Sequence, residues 1–175
     1  VLRELQEHCN YLPASALERV AQRLGLPLSQ VRGVAAFYDF LSLEPTGVYR
    51  VLFSDDVTDR MQGSAELMQR MCRRLWAEPG KVTQDGLVSV GHASFLGLPD
   101  QGPSLLVNGR PVPRLDADRI DTMCGLILAR RPLDEWPAEL FTVQSTVRKR
   151  GPLLSASLQP GAALRAALAR ADAAG

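Results

Sequence analysis

The stretch SFLGLPDQGPSLLVNG, residues 94–109, predicts a loop that leads into a β-hairpin. Its closely spaced glycines and prolines are typical of a loop. The apolar run SLLV at 104–107 predicts a strand, and Asn108-Gly109 is a strong signal for a two-residue hairpin turn. The next strand contains Pro111 and Pro113, which lack N–H donors, so we expect it at the edge of a sheet.

Three more elements around this stretch complete the predicted pattern. VYRVLF at 48–53 and LVSV at 87–90 predict strands, and residues 61–76 predict a helix with Leu67, Met68, Met71, Cys72 and Leu75 at helical spacing. We expect Asp116 to cap a final helix whose buried face comprises Ile120, Met123, Cys124, Ile127 and Leu128. The order β-α-β-β-α predicts a small mixed sheet with helices packed on it.

Residues 1–43 predict a small helical subdomain. SALE at 15–18 has the form of a capping box, and Gly25 is expected to end the helix that it starts. A second helix follows, with Ser29 as its expected cap. The apolar residues at helical spacing, which we expect to form the buried faces, are Leu17, Val20, Ala21 and Leu24, and then Val31, Val34, Ala35 and Tyr38.

Composition excludes several function classes. The chain of 175 residues has a net charge of +1, which gives no electrostatic case for binding nucleic acid. No apolar run approaches the roughly 20 residues that span a bilayer. Three widely spaced cysteines do not make a disulfide framework, so we expect a reducing cytoplasm. Because the sequence begins at Val1 within a helical pattern, we expect a piece of a longer protein.

Two local features have more than one interpretation. SDDVTD at 54–59 groups three carboxylates and two hydroxyls, which suits a hard cation such as Mg²⁺ or Ca²⁺. We favour the alternative, a solvated loop that caps a helix beginning near Met61. Cys72 and Cys124 lie on apolar faces of predicted helices, and we expect them to be small buried side chains. The chain has no C-x-x-C and no glycine-rich phosphate fingerprint.

An ordered set of segments carries a family resemblance. VRGVAAFYDF at 31–40, the strand at 48–53 with the loop that leads to Gly63, DG at 85–86 and the stretch 94–109 resemble the thioredoxin-like [2Fe-2S] subunit of the NADH dehydrogenase module of respiratory complex I. The resemblance covers roughly residues 1–140. It implies an α/β fold in which an N-terminal helical subdomain precedes a thioredoxin-like, ferredoxin-type small mixed sheet with flanking helices.

The resemblance also identifies positions for a cluster. Members of the family bind a [2Fe-2S] cluster with four cysteines in two loops, and the matching positions here are Ser54, Asp59, Ser94 and Leu98. The loop framework is retained in Gly63, Gly97, Pro103, Asn108 and Gly109. Such clusters are held by thiolates, oxygen donors are a poor match for them, and leucine has no donor. We therefore expect no cluster and no other metal in this chain.

The resemblance implies three segments and a role in a complex. We expect a helical subdomain at 1–43, a thioredoxin-like domain with degenerate cluster loops at 44–132, and a linker and C-terminal segment at 133–175. TVRKRGPLL at 146–154 resembles the junction with the flavoprotein in the large diaphorase subunit of soluble NAD-reducing hydrogenases. This chain would then be a non-catalytic docking domain of a cytoplasmic NAD(H)-dependent oxidoreductase.

The expected partners are the FMN- and NAD-binding flavoprotein domain and the iron–sulfur subunits of that complex, with FMN, NAD and clusters bound there. Arg148, Lys149 and Arg150 either contact a partner or form a solvated linker. One alternative function is an electron-transfer subunit with an atypical metal or iron–sulfur centre in an NADH or formate dehydrogenase complex. Another is a free-standing regulatory domain. The sequence leaves open whether hydrogen, formate or a quinone is the other substrate, and which oligomer forms.

Overall fold

The computed structural model of the protein describes residues 1–144, which form one compact unit. Two predictions concern residues outside this range. They are the basic contact at Arg148, Lys149 and Arg150 and most of the segment 133–175. Within residues 1–144, no helix is long and apolar enough to cross a membrane.

Three helices precede the sheet, and they bury a core of their own. They are α1 (Leu2–Cys9), α2 (Ala14–Leu24) and α3 (Leu28–Phe37). The buried apolar residues of this part are Leu12, Leu17, Ala21, Val31, Ala35 and Leu41. The prediction of a helical N-terminal part is therefore confirmed.

Two predicted caps in this part are wrong. α2 begins directly after Pro13 and α3 directly after Pro27, and neither helix has a side-chain cap. Each proline is itself the N-cap residue, and its carbonyl accepts the first helical hydrogen bond, from Leu17 and from Val31 respectively. These helices therefore begin earlier than predicted, and Ser15 and Ser29 lie inside the first turns. Gly25 does end α2, with φ 64°.

The predicted burial of three residues in these helices is also wrong. Leu24, Val34 and Tyr38 are exposed, whereas the other apolar residues of the two faces are buried or half-buried. Helical spacing places residues on a broad stripe, and only packing decides which edge of that stripe meets the core.

A four-stranded mixed sheet follows, in the order β2-β1-β3-β4. Its strands are β1 (Tyr49–Ser54), β2 (Val88–Ala93), β3 (Leu105–Val107) and β4 (Arg110–Val112). β1 pairs parallel with β2 and antiparallel with β3, and β3 pairs antiparallel with β4. β4 is an edge strand, as its prolines predict. Asn108 and Gly109 form the predicted turn, with φ 48° and 81°, the sign that a primed hairpin turn requires.

Three helices accompany the sheet, α4 (Val57–Met61), α5 (Ser64–Leu75) and α6 (Ala117–Leu128), and α5 and α6 contribute to its core. The single helix predicted over 61–76 is wrong at its start, because the chain turns at Gly63, with φ 90°, between α4 and α5. Asp116 caps α6 as predicted, since its carboxylate accepts from the N–H of Arg119 at 2.8 Å. Leu128 is exposed rather than buried.

The main core lies between the sheet and α5 and α6. Its fully buried members include Val51, Phe53, Met71, Leu105, Val107, Val112, Ile120, Met123 and Ile127. Two short 3₁₀ helices, Leu133–Glu135 and Ala138–Phe141, follow α6. Trp136 and Leu140 from this region join the core although no periodic pattern marks them.

Candidate functional site

The two loops that the sequence singles out meet at one edge of the sheet. The first follows β1 and spans residues 54–63, and the second joins β2 to β3 over residues 94–104. β1 and β2 are parallel, so their C-terminal ends lie at the same edge, and β3 begins there because it is antiparallel to β1. The topology therefore brings both loops together.

Ser54 is the buried last residue of β1. Its N–H donates to the carbonyl of Ser104 at 3.0 Å, and its carbonyl accepts from the hydroxyl of Ser64 at 2.9 Å. Its own hydroxyl accepts from the N–H of Asp56 at 3.5 Å. Ser54 thus ties the start of α5 and the residue before β3 to the end of β1.

Asp59 is only 2% exposed although it carries a carboxylate on the short helix α4. The hydroxyl of Ser104 donates to its Oδ2 at 3.5 Å, whereas Oδ1 has no hydrogen-bond partner among the described residues. A Cβ at Gly102 would lie 2.3 Å from this Oδ1 and 3.0 Å from Oε1 of Gln62. The carboxylate therefore fills the space between α4 and the second loop, and position 102 has room for glycine only.

Ser94 and Leu98 lie in the second loop and are less enclosed. Ser94 is exposed, and its N–H donates to Oδ2 of Asp39 at 2.7 Å, which attaches the loop to the segment after α3. Leu98 is half-buried and belongs to neither hydrophobic core. Its carbonyl accepts from the N–H of Gln101 at 3.0 Å.

The four proposed ligand positions are therefore not equally connected by hydrogen bonds. Ser54 and Asp59 share Ser104 as a hydrogen-bonding neighbour. Ser94 comes one residue after the end of β2, the strand beside β1. Within residues 1–144, no hydrogen bond links Ser94 or Leu98 to the other two positions.

The predicted framework residues shape the turns of the two loops. Gly63 and Gly97 both have positive φ, at 90° and 79°. Pro103 is buried and follows a cis peptide bond, and its carbonyl accepts from the N–H of Leu115 at 2.8 Å. These contacts hold the second loop against the start of β3 and the approach to α6.

Asn108 does more than form the hairpin turn with Gly109. Its Oδ1 accepts from the N–H of Arg50 at 2.7 Å, and its Nδ2 donates to the carbonyl of Val48 at 2.9 Å. The side chain therefore continues the pairing of β1 with β3 beyond the last residue of β3. This places Asn108 at the opposite end of β3 from the two loops.

The acidic run 54–59 caps a helix, as the favoured interpretation predicts, but the prediction of a solvated loop is wrong for Ser54 and Asp59, which are both buried. The Asp56 carboxylate accepts from the N–H of Val57 at 2.8 Å and from the hydroxyl of Thr58 at 2.7 Å. The helix begins at Val57 rather than near Met61. In the part of the chain that the structure describes, no group of three or more His, Cys, Asp or Glu residues is placed to hold a metal ion.

The three cysteines lie on helices, outside the two loops. Cys72 on α5 and Cys124 on α6 are buried, as predicted, and Cys9 on α1 is exposed. Burial raises the pKa of both buried thiols, that of Cys124 to about 11. A raised pKa disfavours the thiolate, which is the form of cysteine that binds metals and acts as a nucleophile.

One residue of the second loop that sequence reasoning missed is Gln101. Its side chain is buried, and its Nε2 donates to the carbonyl of Gln144 at 2.7 Å. Its carbonyl accepts from the N–H of Arg114 at 2.7 Å. Glutamine is usually exposed, so no signal in the sequence marks it as buried. Gln101 anchors the loop to residues 114 and 144, beyond the sheet.

The sequence of this chain is similar to those of known proteins. The family model described as thioredoxin-like [2Fe-2S] ferredoxin matches residues 1–126. An NADH-quinone oxidoreductase subunit of Aquifex aeolicus is 33% identical over 107 residues, which cover 61% of this chain and 67% of that protein. An NADH-quinone oxidoreductase subunit of Thermus thermophilus is 29% identical over 136 residues, which cover 77% of this chain and 75% of that protein.

A solved structure is similar over most of the described residues. The crystal structure of an NAD⁺-reducing [NiFe]-hydrogenase in the air-oxidized state matches with a TM-score of 0.75 and 38% identity, covering 88% of this chain and 27% of that chain. This chain thus spans about a quarter of the hydrogenase chain that it matches. Because the family model covers most of the sequence and the observed fold is the expected one, this chain belongs to the thioredoxin-like [2Fe-2S] ferredoxin family.

Proposed function

We propose that this chain is a structural and docking domain of an NADH-dehydrogenase-like module, and that it carries no iron–sulfur cluster. The whole complex would pass electrons between NAD(H) and an iron–sulfur chain through FMN, with all of these groups bound outside this chain. The relatives support the setting, since they are subunits of NADH-quinone oxidoreductases and a chain of an NAD⁺-reducing hydrogenase.

We further propose that the complex is a cytoplasmic NAD-reducing hydrogenase and that this chain belongs to its diaphorase subunit. The match to the hydrogenase chain supports this choice, because it has the higher identity, 38%, and covers 88% of this chain. The flavoprotein domain and the iron–sulfur subunits of the same complex are then the partners. The chain alone would not oxidise NADH, because its sequence has no glycine-rich phosphate fingerprint.

One observation carries the cluster-free assignment: the chemistry of the donor set. At the four proposed ligand positions the chain offers the hydroxyls of Ser54 and Ser94, the carboxylate of Asp59 and the aliphatic side chain of Leu98. A [2Fe-2S] cluster is held by soft thiolates, and this set has none. The residues present therefore do not fit the cluster that the family name implies.

Packing around the first loop supports a structural role for Ser54 and Asp59 in place of cluster binding. Ser54 is buried and is held by main-chain hydrogen bonds to its neighbours, and the Asp59 carboxylate lies directly against Gly102. In this proposal, side chain and backbone contacts join the two loops where relatives use a metal cluster. The loops then serve as a packing surface for the rest of the complex.

A second candidate function is an electron-transfer subunit with an atypical metal centre. A specific observation favours it: Oδ1 of the buried Asp59 has no hydrogen-bond partner among the described residues, and a bound cation would supply one. Metal analysis of the anaerobically purified complex, compared with its Asp59→Asn variant, separates the two functions. A metal that is lost only in the variant would favour the second.

The docking role is tested by deleting residues 1–140 from the subunit in its native complex. We expect the yield of assembled complex to fall while the rate of FMN reduction by NADH in the remaining flavoprotein is largely retained. Both quantities are measured separately, on equal amounts of flavin. A severe loss of FMN reduction with normal assembly would contradict the proposal, because it would show that the domain takes part in electron transfer.

A further inference from the structure

We propose that a groove between α1 and α2 binds an amphipathic helix of a partner chain, and that two acidic residues of that helix, one turn apart, pair with Arg19 and Arg23. We call it the α1–α2 groove. Its volume is about 420 Å³. The proposal rests on the docking role proposed above, and it names the place and the chemistry of the contact.

The deeper part of the α1–α2 groove is apolar. Leu5 of α1 and Val20 of α2 line it, are half-buried and pack against the core of the N-terminal helices. Leu24, whose spacing predicts burial, lines the same groove and is 55% exposed. An apolar groove that is open to water favours a ligand with an apolar ridge, because binding removes both surfaces from water.

Two arginines of α2 border this apolar surface. Arg19 and Arg23 are exposed, and they are the only charged side chains among the described residues that line the groove. They are four residues apart, so they lie on one side of the helix. Within residues 1–144, neither has an ion-pair partner. The groove thus combines an apolar surface with two uncompensated positive charges.

This charge pattern specifies the complementary ligand. A guanidinium pairs well with a carboxylate, which it can bind through two parallel hydrogen bonds. Two arginines one turn apart match two acidic residues that are also three or four positions apart on a helix. From Ala16 to Leu24 the wall formed by α2 is roughly 12 Å long, which is about two turns of a helix. An amphipathic helix with acidic residues beside its apolar face fits both features.

The C-terminal segment of this chain is a poor match for the groove. Residues 145–175 contain five basic residues and one acidic residue, Asp172. One carboxylate is half of the acidic pair that the groove requires. The excess of positive charge would be repelled by the two arginines. We therefore assign the groove to a different chain.

A lipid surface is also a poorer match. Faces that lie in a membrane interface combine basic residues with Trp, Phe or Leu and insert their apolar side into the bilayer. The α1–α2 groove is concave, and no aromatic residue is among the described residues that line it. A protruding helix is the better complement to a concave surface.

The test is site-specific photo-cross-linking in the intact complex. Leu24→p-benzoylphenylalanine places a photoreactive side chain in the groove, and mass spectrometry identifies the peptide that it captures. We expect one segment of a different chain, with apolar residues at helical spacing and two acidic residues three or four positions apart. Trp76→p-benzoylphenylalanine, at the exposed end of α5, is the control and should not capture that segment.

Other occupants would be recognised by the same measurement. The proposal would be overturned if the groove captures nothing, a segment without the acidic pair, or a segment of this chain or of a second copy of it. The chain is also sedimented with vesicles of anionic phospholipid. Binding to vesicles that requires the two arginines would assign the groove to a membrane and would likewise overturn the proposal.

Charge reversal shows whether the arginines recognise the captured segment. Arg19→Glu with Arg23→Glu should lower the cross-link yield roughly ten-fold or more, and reversing the two acidic residues of the captured segment to lysine should restore it. Because glutamate at position 23 opposes the dipole of α2, Arg19→Gln with Arg23→Gln is measured as well, with a several-fold loss expected. Arg32→Glu is the matched control, since Arg32 is an exposed arginine of α3 without an ion-pair partner among residues 1–144, and it should leave the yield unchanged. Unchanged yields in both double variants, or a loss that charge reversal does not restore, would overturn the proposal.

Failure of this inference is distinguishable from failure of the proposed function. If deletion of residues 1–140 leaves assembly of the complex unchanged, the docking role fails, and this inference fails with it. If assembly depends on the domain but the groove captures no acidic helix, only this inference fails.

Discussion

The carboxylate of Asp59 lies directly against the α-carbon of Gly102, so that a Cβ at position 102 would be 2.3 Å from Oδ1. The two residues belong to different loops, one after β1 and the other before β3. Asp59 is buried, so its side chain has little freedom to move away. This close approach, together with the hydrogen bonds of Ser104 to Ser54 and Asp59, links the two loops on which the proposed function depends.

Gly102→Ala is expected to destabilise the domain by about 1–3 kcal/mol, because the added methyl group overpacks the contact with Asp59. The matched control is Gly125→Ala on α6, where a Cβ meets nothing within 4 Å. The control should stabilise by about 0.5–1 kcal/mol, since alanine is the better helix former. Urea unfolding measures both, and equal effects of the two substitutions would show that the Asp59 contact is not tight.

Restoring four cysteines should restore cluster binding if the loops keep the backbone path of the family. The variant is Ser54→Cys, Asp59→Cys, Ser94→Cys and Leu98→Cys together, reconstituted with iron and sulfide. Leu98 is in neither core, so its loss should cost less than about 2 kcal/mol. We expect an EPR signal of a reduced [2Fe-2S] cluster.

The matched control for that experiment retains Leu98 and carries only the other three cysteines. It lacks one thiolate, so it should bind the cluster more weakly or not at all. A folded quadruple variant without an EPR signal would show that the four positions do not converge. The resemblance at the second loop would then be limited to sequence.

Low pH should weaken the salt bridge between Arg70 on α5 and Asp121 on α6. Asp121 accepts from Arg70 at 2.8 and 2.7 Å, and this hydrogen bonding lowers the pKa of its carboxyl. A carboxyl whose pKa is lower in the folded chain than in the unfolded chain stabilises the fold at any pH above its unfolded pKa of about 3.9. That contribution is lost as the pH falls through the pKa of the folded chain. Wild type should therefore be more stable than Asp121→Asn at neutral pH, and the gap should shrink by about pH 2.

The control for the acid experiment is Asp134→Asn, which removes a carboxylate that is almost fully exposed and pairs with Arg110 at 3.2 Å. Such surface pairs contribute little because water screens them. The free energies of unfolding of Asp134→Asn and wild type should differ little at every pH. A gap for Asp121→Asn that is constant with pH would contradict the predicted linkage.

Thiol reactivity should divide the cysteines into two classes. Cys9 is exposed, whereas Cys72 and Cys124 are buried and burial raises their thiol pKa values. A thiol reagent at neutral pH should modify one cysteine quickly, and the other two only when the chain unfolds. Cys9→Ser should remove the fast phase, and a fast phase that persists would show that a buried cysteine is accessible.

Local signals in the sequence were enough for most of the fold. The strand at 48–53, the Asn108-Gly109 turn and the edge strand with its prolines are all where the patterns predict them. Errors occur where two signals compete. Pro13 starts α2 ahead of the capping pattern at Ser15, and helical spacing could not show that Leu128 at the margin of its stripe faces solvent.

The candidate site was less accessible to sequence reasoning, because burial of polar side chains depends on distant segments. Nothing near Asp59 in the sequence indicates that Gly102 and Ser104 enclose it. Gln101 is buried and hydrogen-bonded to Gln144, which lies 43 residues further along the chain. The resemblance supplied the four proposed ligand positions, whereas these contacts became visible only in the folded chain.

The proposed absence of an iron–sulfur cluster is tested most directly by iron and acid-labile sulfide analysis of this chain, purified anaerobically from cells that assemble clusters. We predict neither element above background and no visible absorption band from a cluster, because the chain has no thiolate at positions 54, 59, 94 and 98. About two iron atoms and two sulfides per chain, the content of a [2Fe-2S] cluster, would contradict the cluster-free assignment.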